Sequence, residues 1–406
     1  MTRRRNGLRL RAAAALAALA LGGAPSRASD HLDSPAVIAD PRADIGDLYA
    51  WMSPDARRLN LVMTIVGHSF SDRLAYVFHI DSGRRFGAAG ATIDLTCRFA
   101  SAADADCRLG TVDRVRGDAG AEAGIESAGR HFRLFAGLRD DPFFNNVRGT
   151  RDAYGMAIKA LSGGAHYDAA GCPRFTAEQS AAILDHWRHT DGGPASNLLR
   201  GWTPEAIVVS IDIASVTKGG PFLAVWGATV GPRAQVDRAA RPLTGNALLA
   251  TLGSEEESNA LKIRYNRATP RRSAGLAGEI AKGVALYDGF DGRCGDGLLA
   301  DRNAPPERRY LPLARMLADD RLWLNSRSGT CTQLFAVERA ALNGESGLAQ
   351  DCGGRTITYD SVNIYRSLLT NGTVRGMDDG IHADERAQST TIFPFLAAPD
   401  GIGPGR

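Results

Sequence analysis

The sequence lacks most of the short motifs that would assign it a chemistry. There is no Cys-x-x-Cys pair, which argues against a thioredoxin-like redox site and against a zinc ribbon. There is no Walker A loop, no Gly-x-Gly-x-x-Gly between a strand and a helix, and no c-type haem motif. A His-Glu-x-x-His pair is also missing. The nearest approach to a nucleophile elbow, Gly67-His-Ser-Phe-Ser71, lacks the second glycine and follows a strand in a β-rich context. No motif brings a nucleophile, a base and an electrophile together. Lysine is scarce, with only positions 159, 218, 262 and 282 among 48 basic residues. The abundance of Arg and Ala reads as the mark of a GC-rich genome rather than of a functional patch. Beyond the N-terminus no apolar run approaches the roughly 20 residues a membrane span needs.

What is present begins at the N-terminus. Arg3, Arg4, Arg5, Arg9 and Arg11 precede an apolar run from Ala12 to Leu21, followed by the small-residue site Ser26-Arg27-Ala28. This pattern predicts an export signal over residues 1–28, too short to serve as a membrane span. No cysteine follows the run to carry a lipid anchor. The Arg3-Arg4 pair hints at the twin-arginine route, although Asn6 and Gly7 fit it poorly. Six of the 48 basic residues and none of the 45 acidic ones lie before this site, so a chain cut there carries 42 against 45, a net charge of −3. The overall basicity therefore belongs to the signal, and the expectation is no nucleic-acid partner. The mature protein, residues 29–406, is expected to be soluble and periplasmic or secreted, with no integral membrane segment.

Six cysteines in an exported chain favour disulfide bonds. Cys97 with Cys107 and Cys331 with Cys352 each bracket a short stretch, which leaves Cys172 with Cys294. Residues 29–55 are Asp-rich and bounded by proline and read as an extended segment leading to a first strand. Period-two alternation predicts strands over 59–66, 74–80 and 92–99, with shorter or more apolar ones over 131–135, 206–213 and 222–230. Helical spacing appears over 150–161, over 176–189 with Thr176 as N-cap, over 254–265 behind a Ser254 cap, and over 271–286. The expected fold is mainly β: an antiparallel β-sandwich-like core with helical insertions in the second half, α+β overall, as one domain with long loops.

Three stretches carry a family resemblance. They are Ser29-Asp-His-Leu-Asp-Ser-Pro35 with Asp40-Pro-Arg-Ala-Asp-Ile-Gly-Asp-Leu-Tyr-Ala50, then Phe135-Ala-Gly-Leu-Arg-Asp-Asp-Pro-Phe-Phe144, and Phe393-Pro-Phe-Leu-Ala-Ala-Pro399. Together they resemble the bacterial family known as domain of unknown function 4331. The resemblance spans nearly the whole mature chain, although roughly 160–200 and 250–350 show no signature of it. It implies an exported, β-rich protein and transfers no catalytic residue.

Several clusters could hold a ligand. Asp30, His31, Asp33, Asp40, Asp44 and Asp47 crowd the mature N-terminus, and Asp378, Asp379, His382, Asp384 and Glu385 crowd one segment near the C-terminus. Carboxylates with an imidazole suit a divalent cation such as calcium. Turn-capping and solvated acids explain the same residues without a ligand. If the chain ends meet, His31 and His382 would share one site. Arg139-Asp140-Asp141 reads as a salt-bridged turn followed by core anchors at Phe143 and Phe144. Asp288-Gly-Phe-Asp-Gly-Arg-Cys-Gly-Asp296 lacks the EF-hand spacing and reads as a glycine-rich loop tied down by Cys294. His186 and His189 read as surface groups at a helix end, and His79 as a strand-face residue.

The expected function is a non-catalytic exported binding or structural module, with a divalent metal as one candidate ligand. The alternatives are a metal-dependent periplasmic enzyme, hydrolytic or oxidative, and a partner subunit of an envelope complex. The expected partners are an envelope protein or a glycan.

Overall fold

The computed structural model describes residues 34–399. Strands β1 (Ile45–Met52), β2 (Arg58–Ile65), β3 (Ala75–Gly83), β4 (Ala91–Ser101), β5 (Asp104–Leu109), β6 (Asp113–Gly117), β7 (Ile125–Glu126) and β8 (Phe132–Leu138) fill the first half. Two small hairpins follow, β9 (His166–Tyr167) with β10 (Pro173–Arg174) and β11 (His189–Thr190) with β12 (Gly193–Pro194). Then come β13 (Glu205–Asp212), β14 (Phe222–Val230), β15 (Gln235–Ala239) and β16 (Leu322–Asn325). One sheet has the order β1-β2-β13-β8-β7, the other β15-β14-β3-β4-β5-β6, with β16 sharing the outer edge of β14 with β15. Every pairing is antiparallel, and the two sheets pack face to face as the sandwich the sequence pattern predicted.

The alternating positions Leu59, Leu61, Met63 and Ile65 all enter the core between the sheets, with Tyr76, Phe78 and Ile80 opposite. The reverse face of the first sheet is also buried. Tyr49, Trp51, Val62, Phe135 and Val208 pack there under Phe395 and Leu396 of the C-terminal segment.

The helices are α1 (Pro35–Ala39), α2 (Val147–Ser162), α3 (Ala177–Trp187), α4 (Thr244–Leu248), α5 (Glu255–Arg267), α6 (Ala277–Asp288), α7 (Leu311–Ala318), α8 (Ala336–Leu342) and α9 (Ser361–Asn371). A second large apolar core lies among them, with Trp187, Tyr287 and Phe290 at its centre. Thr176 caps α3 by accepting from Gln179 N–H, in a reciprocal capping box. The pattern Ser254-Glu-Glu-Glu257 reads as a capping box, but only its first half forms: Ser254 accepts from Glu257 N–H and caps α5.

Two expectations need correction. The segment before β1 is not wholly extended. Pro35 stands at the first helical position and starts the single turn of α1, and Pro41 opens a 3-10 turn. The helix expected from Arg271 begins only at Ala277. Pro270 opens a tight turn, and Ser273 bonds the Thr269 carbonyl at 2.9 Å instead of continuing a helix.

All three disulfides pair as expected. Cys97–Cys107 joins directly opposed residues of β4 and β5, and Cys331–Cys352 closes a short loop. Cys172–Cys294 joins the β9–β10 hairpin to the loop after α6, across 122 residues of chain. No helix among the described residues is long and apolar enough to cross a membrane.

Candidate functional site

The helical half holds a cleft of about 430 Å³, within the size range of small-ligand sites. One wall is a face of α6, from Gly278 and Ala281 to Leu286. The turn at 250–253 and Glu257 of α5 form the second wall, and the β9–β10 hairpin and residues 306–310 close the rest.

Local chemistry fixes each wall. Gly283 is required where α6 meets α4, because a Cβ there would lie 2.9 Å from Leu248 Cα and carbonyl oxygen. Gly278 has no such reason, since a Cβ there would meet nothing within 4 Å. Gly278 is the second residue of α6 and lines the cleft, so a side chain there would enter open space. Asp168 shapes the hairpin turn by accepting from Ala170 N–H (2.8 Å) and Cys172 N–H (3.0 Å), and it pairs with Arg309. Burial opposes its ionisation, but those amides and the guanidinium hold its carboxyl below the usual carboxylate range.

Tyr310 forms the base of the cleft and donates its hydroxyl to Asp288. Asp288 is fully buried and also accepts from the backbone of Gly295 and of Gly297 (2.7 Å). Burial raises its pKa and that of Tyr310. The glycine-rich loop is thus organised around an inward carboxylate and the Cys172–Cys294 bridge, as the sequence suggested. Cys172, Asp288 and Cys294 are the one group of three potential metal ligands clustered among the described residues, and the disulfide withdraws both thiolates.

The terminal acids occupy separate places. Asp30, His31 and Asp33 lie outside the described residues. Asp40 pairs with Arg42 at 2.8 Å and caps the turn at 41–43. Asp44 and Asp47 are buried around the start of β1, and Asp47 meets the buried Arg355 at 2.7 Å. Asp378 faces Arg188 (3.2 Å) and His382 Nε2 (3.4 Å), while His382 Nδ1 faces Asp360 (3.2 Å). With a carboxylate at each ring nitrogen, Asp360 first and Asp378 after it, the imidazole pKa is raised.

Asp379 is buried and accepts from Asn146 N–H and Ile381 N–H, both at 2.9 Å, and from the Asn363 amide at 3.2 Å. It holds the turn together. Burial nevertheless raises its pKa. Asp384 sits instead beside Asp140, and Gln388 Nε2 donates to both, at 3.0 and 2.9 Å. Burial first and Asp384 second push the Asp140 carboxyl up to about 8.

The smaller candidates settle simply. Arg139 pairs with Glu122 at 2.7 Å and lies over the Phe135 ring, rather than bridging the aspartates next to it. Phe143 and Phe144 are core residues. His79 stacks on Trp226 with Nδ1 2.8 Å from Asp94, on a strand face as expected. His189 Nδ1 lies 2.7 Å from the Asp185 carbonyl oxygen at the end of α3.

The cleft itself had no sequence signal beyond an unexplained glycine in a helical stretch. Compared with protein-family models, curated proteins and solved structures, the chain matches none of them.

Proposed function

We propose that this protein is an exported, disulfide-bonded binding module that holds a small, largely apolar ligand in the α6 cleft. The carrying observation is the cleft, whose wall contains a glycine in the first turn of α6 with open space where its side chain would stand. Three disulfides support an oxidising compartment. The resemblance to domain of unknown function 4331 bears on export alone, since its three stretches lie outside the cleft.

The test uses a neutral fluorescent probe, naphthylmethanol, and the oxidised chain. Gly278→Leu puts a side chain into the cleft from an exposed first-turn position of α6 whose Cβ would meet nothing within 4 Å. Leucine is also a better helix former than glycine. The expected result is probe binding to the parent and none to Gly278→Leu, at an unchanged or raised melting temperature. Equal binding to both would remove the cleft as the site.

A second reading, a divalent cation such as calcium, is favoured by one observation: the buried carboxylate of Asp140 and the half-buried one of Asp384, held side by side by Gln388. A cation there would replace the shared proton. Calcium at pH 8 is then expected to raise the melting temperature by several degrees, and to leave Asp384→Asn unmoved. The same shift in both proteins would exclude that pair.

A further inference from the structure

We propose that the ligand of the α6 cleft is an organic cation, with an apolar body and an amine or quaternary ammonium head. This rests on the cleft being the binding site and adds the chemical class of what it holds.

The charge balance of the lining carries the inference. Glu279 and Lys282, one turn apart on α6, pair with each other at 2.9 Å. Asp168 and Arg309, beneath the hairpin, are likewise paired. Two carboxylates of the lining remain, Glu257 on α5 and Glu307 on the turn before α7. Both are exposed, and among the described residues neither has a basic side chain within ion-pair distance. Glu255 and Glu256 add negative charge on the same helical turn as Glu257.

The aromatic groups fit the same ligand. Tyr167, on the β9–β10 hairpin, lines the cleft and is 56% exposed. An exposed aromatic lining the same cleft as two unpaired carboxylates suits an ammonium group, which is drawn to ring faces and to negative charge together. The Tyr310 hydroxyl is already committed to Asp288, so what that residue offers the cleft is its ring. Ala169, Ala170, Leu252, Ala281, Leu286 and Pro306 supply apolar wall for the ligand body. An anionic ligand would meet two carboxylates with no basic partner, and the one lysine of the lining, Lys282, is already paired with Glu279.

The experiment compares three fluorescent probes of one shape: naphthylmethylammonium, naphthylmethanol and naphthoate. They are titrated at pH 7 and low salt into the full oxidised chain, into Gly278→Leu and into the double variant Glu257→Gln/Glu307→Gln. The expected order in the parent is ammonium, then alcohol about ten-fold weaker, then naphthoate weakest. The ammonium's advantage should shrink at 0.5 M salt, where charge interactions are screened over a few ångströms. In the double variant ammonium and alcohol should bind alike, and in Gly278→Leu none should bind. Equal affinity of ammonium and alcohol in the parent would overturn the cation inference while leaving the cleft as a binding site. No binding of any probe to the parent would overturn both. A preference for ammonium that survives Glu257→Gln/Glu307→Gln would overturn the assignment to these carboxylates.

Discussion

Arg241→Ala is expected to destabilise the protein by about 3–5 kcal/mol, the usual cost of breaking a buried ion pair from one side. Arg241 is buried where the chain leaves β15 for α4. Its guanidinium donates to Glu338 Oε1 through Nε (3.2 Å) and Nη2 (3.0 Å), and through Nη1 to the carbonyls of Met316 (3.1 Å) and Asp319 (3.0 Å). Asp320 lies 3.6 Å away and accepts the Arg241 backbone N–H and the Tyr265 hydroxyl. The side chains of Arg241, Asp320 and Glu338 are at most 2% exposed.

Truncation at Arg241 leaves two carboxylates buried where burial already raises both pKa values. A raised carboxylate pKa in the folded state means stability that is present at low pH and lost as pH rises through the folded value. The defect should therefore be smaller at pH 5 than at pH 8. Denaturant midpoints of parent and variant at both pH values, with disulfides intact, test this. A loss below about 1 kcal/mol would show that the network is not closed around Arg241. Arg241→Lys keeps the charge but not the planar fork, and should fall between parent and alanine.

This network also shows what the sequence made legible. The strands are readable where the face toward the sandwich core carries large apolar side chains at period two, even where the reverse face, with Asn60, Val62 and Thr64 in β2, is buried as well. The residues Leu59, Leu61, Met63 and Ile65 enter the sandwich core as their spacing requires. Thr176 and Ser254 were readable because a cap is a local device. Two of the disulfides were readable because their loops are short.

Arg241, by contrast, is an arginine among 48 basic residues, and its partners lie about 80 and 100 positions further on. Helices α7 and α8 carry no side-chain cap to mark their starts, whereas α9 is capped by Asp360 through Asn363 N–H and has the length of α3, so its absence from the sequence expectation has no such reason. The limit that hid the partners of Arg241 applied to the cleft. Its walls come from stretches around 170, 250, 280 and 310, joined by the Cys172–Cys294 bridge and by α4–α6 packing. Small residues at a cavity carry no motif. The crowding of acids near the C-terminus was visible in the sequence, but their partners Asp140, Asp360 and Arg188 were brought to them by the fold.

The Asp140–Asp384 pair gives the second large expected effect, a loss of stability as pH rises from about 4 to about 8. Asp140 lies two residues beyond the end of β8 and is 2% exposed, and its carboxyl is pushed up to about 8, by burial first and the charge of Asp384 second. The unfolded value is 3.8. The folded chain therefore keeps a proton that the unfolded chain releases. That proton's contribution is complete below pH ~4 and is lost as pH climbs to ~8. One pKa unit corresponds to about 1.4 kcal/mol, so a few kcal/mol lie in this window.

Glu205, pushed up to about 7 by burial alone, adds a smaller loss of the same sign. Asp384→Asn separates the two, because it removes the neighbouring charge while Asn can still accept from a protonated Asp140. Its stability should fall less steeply between pH 6 and pH 9 than that of the parent, by about 1–2 kcal/mol. Parallel slopes would show that burial alone holds the Asp140 proton.

The loss should be local in its first stage. Gln388, which bridges the two acids, also accepts the Ala397 N–H at 2.7 Å, and Asp140 N–H donates to the Ala397 carbonyl at 3.1 Å. Ala397 follows Phe395 and Leu396, which cover the outer face of the first sheet. When two charges replace the shared proton, the strap that holds this cover loses its polar anchor. Exchange of the Ala397 amide, corrected for its intrinsic pH dependence, should then accelerate between pH 7 and 9 before amides of β2 or β13 do.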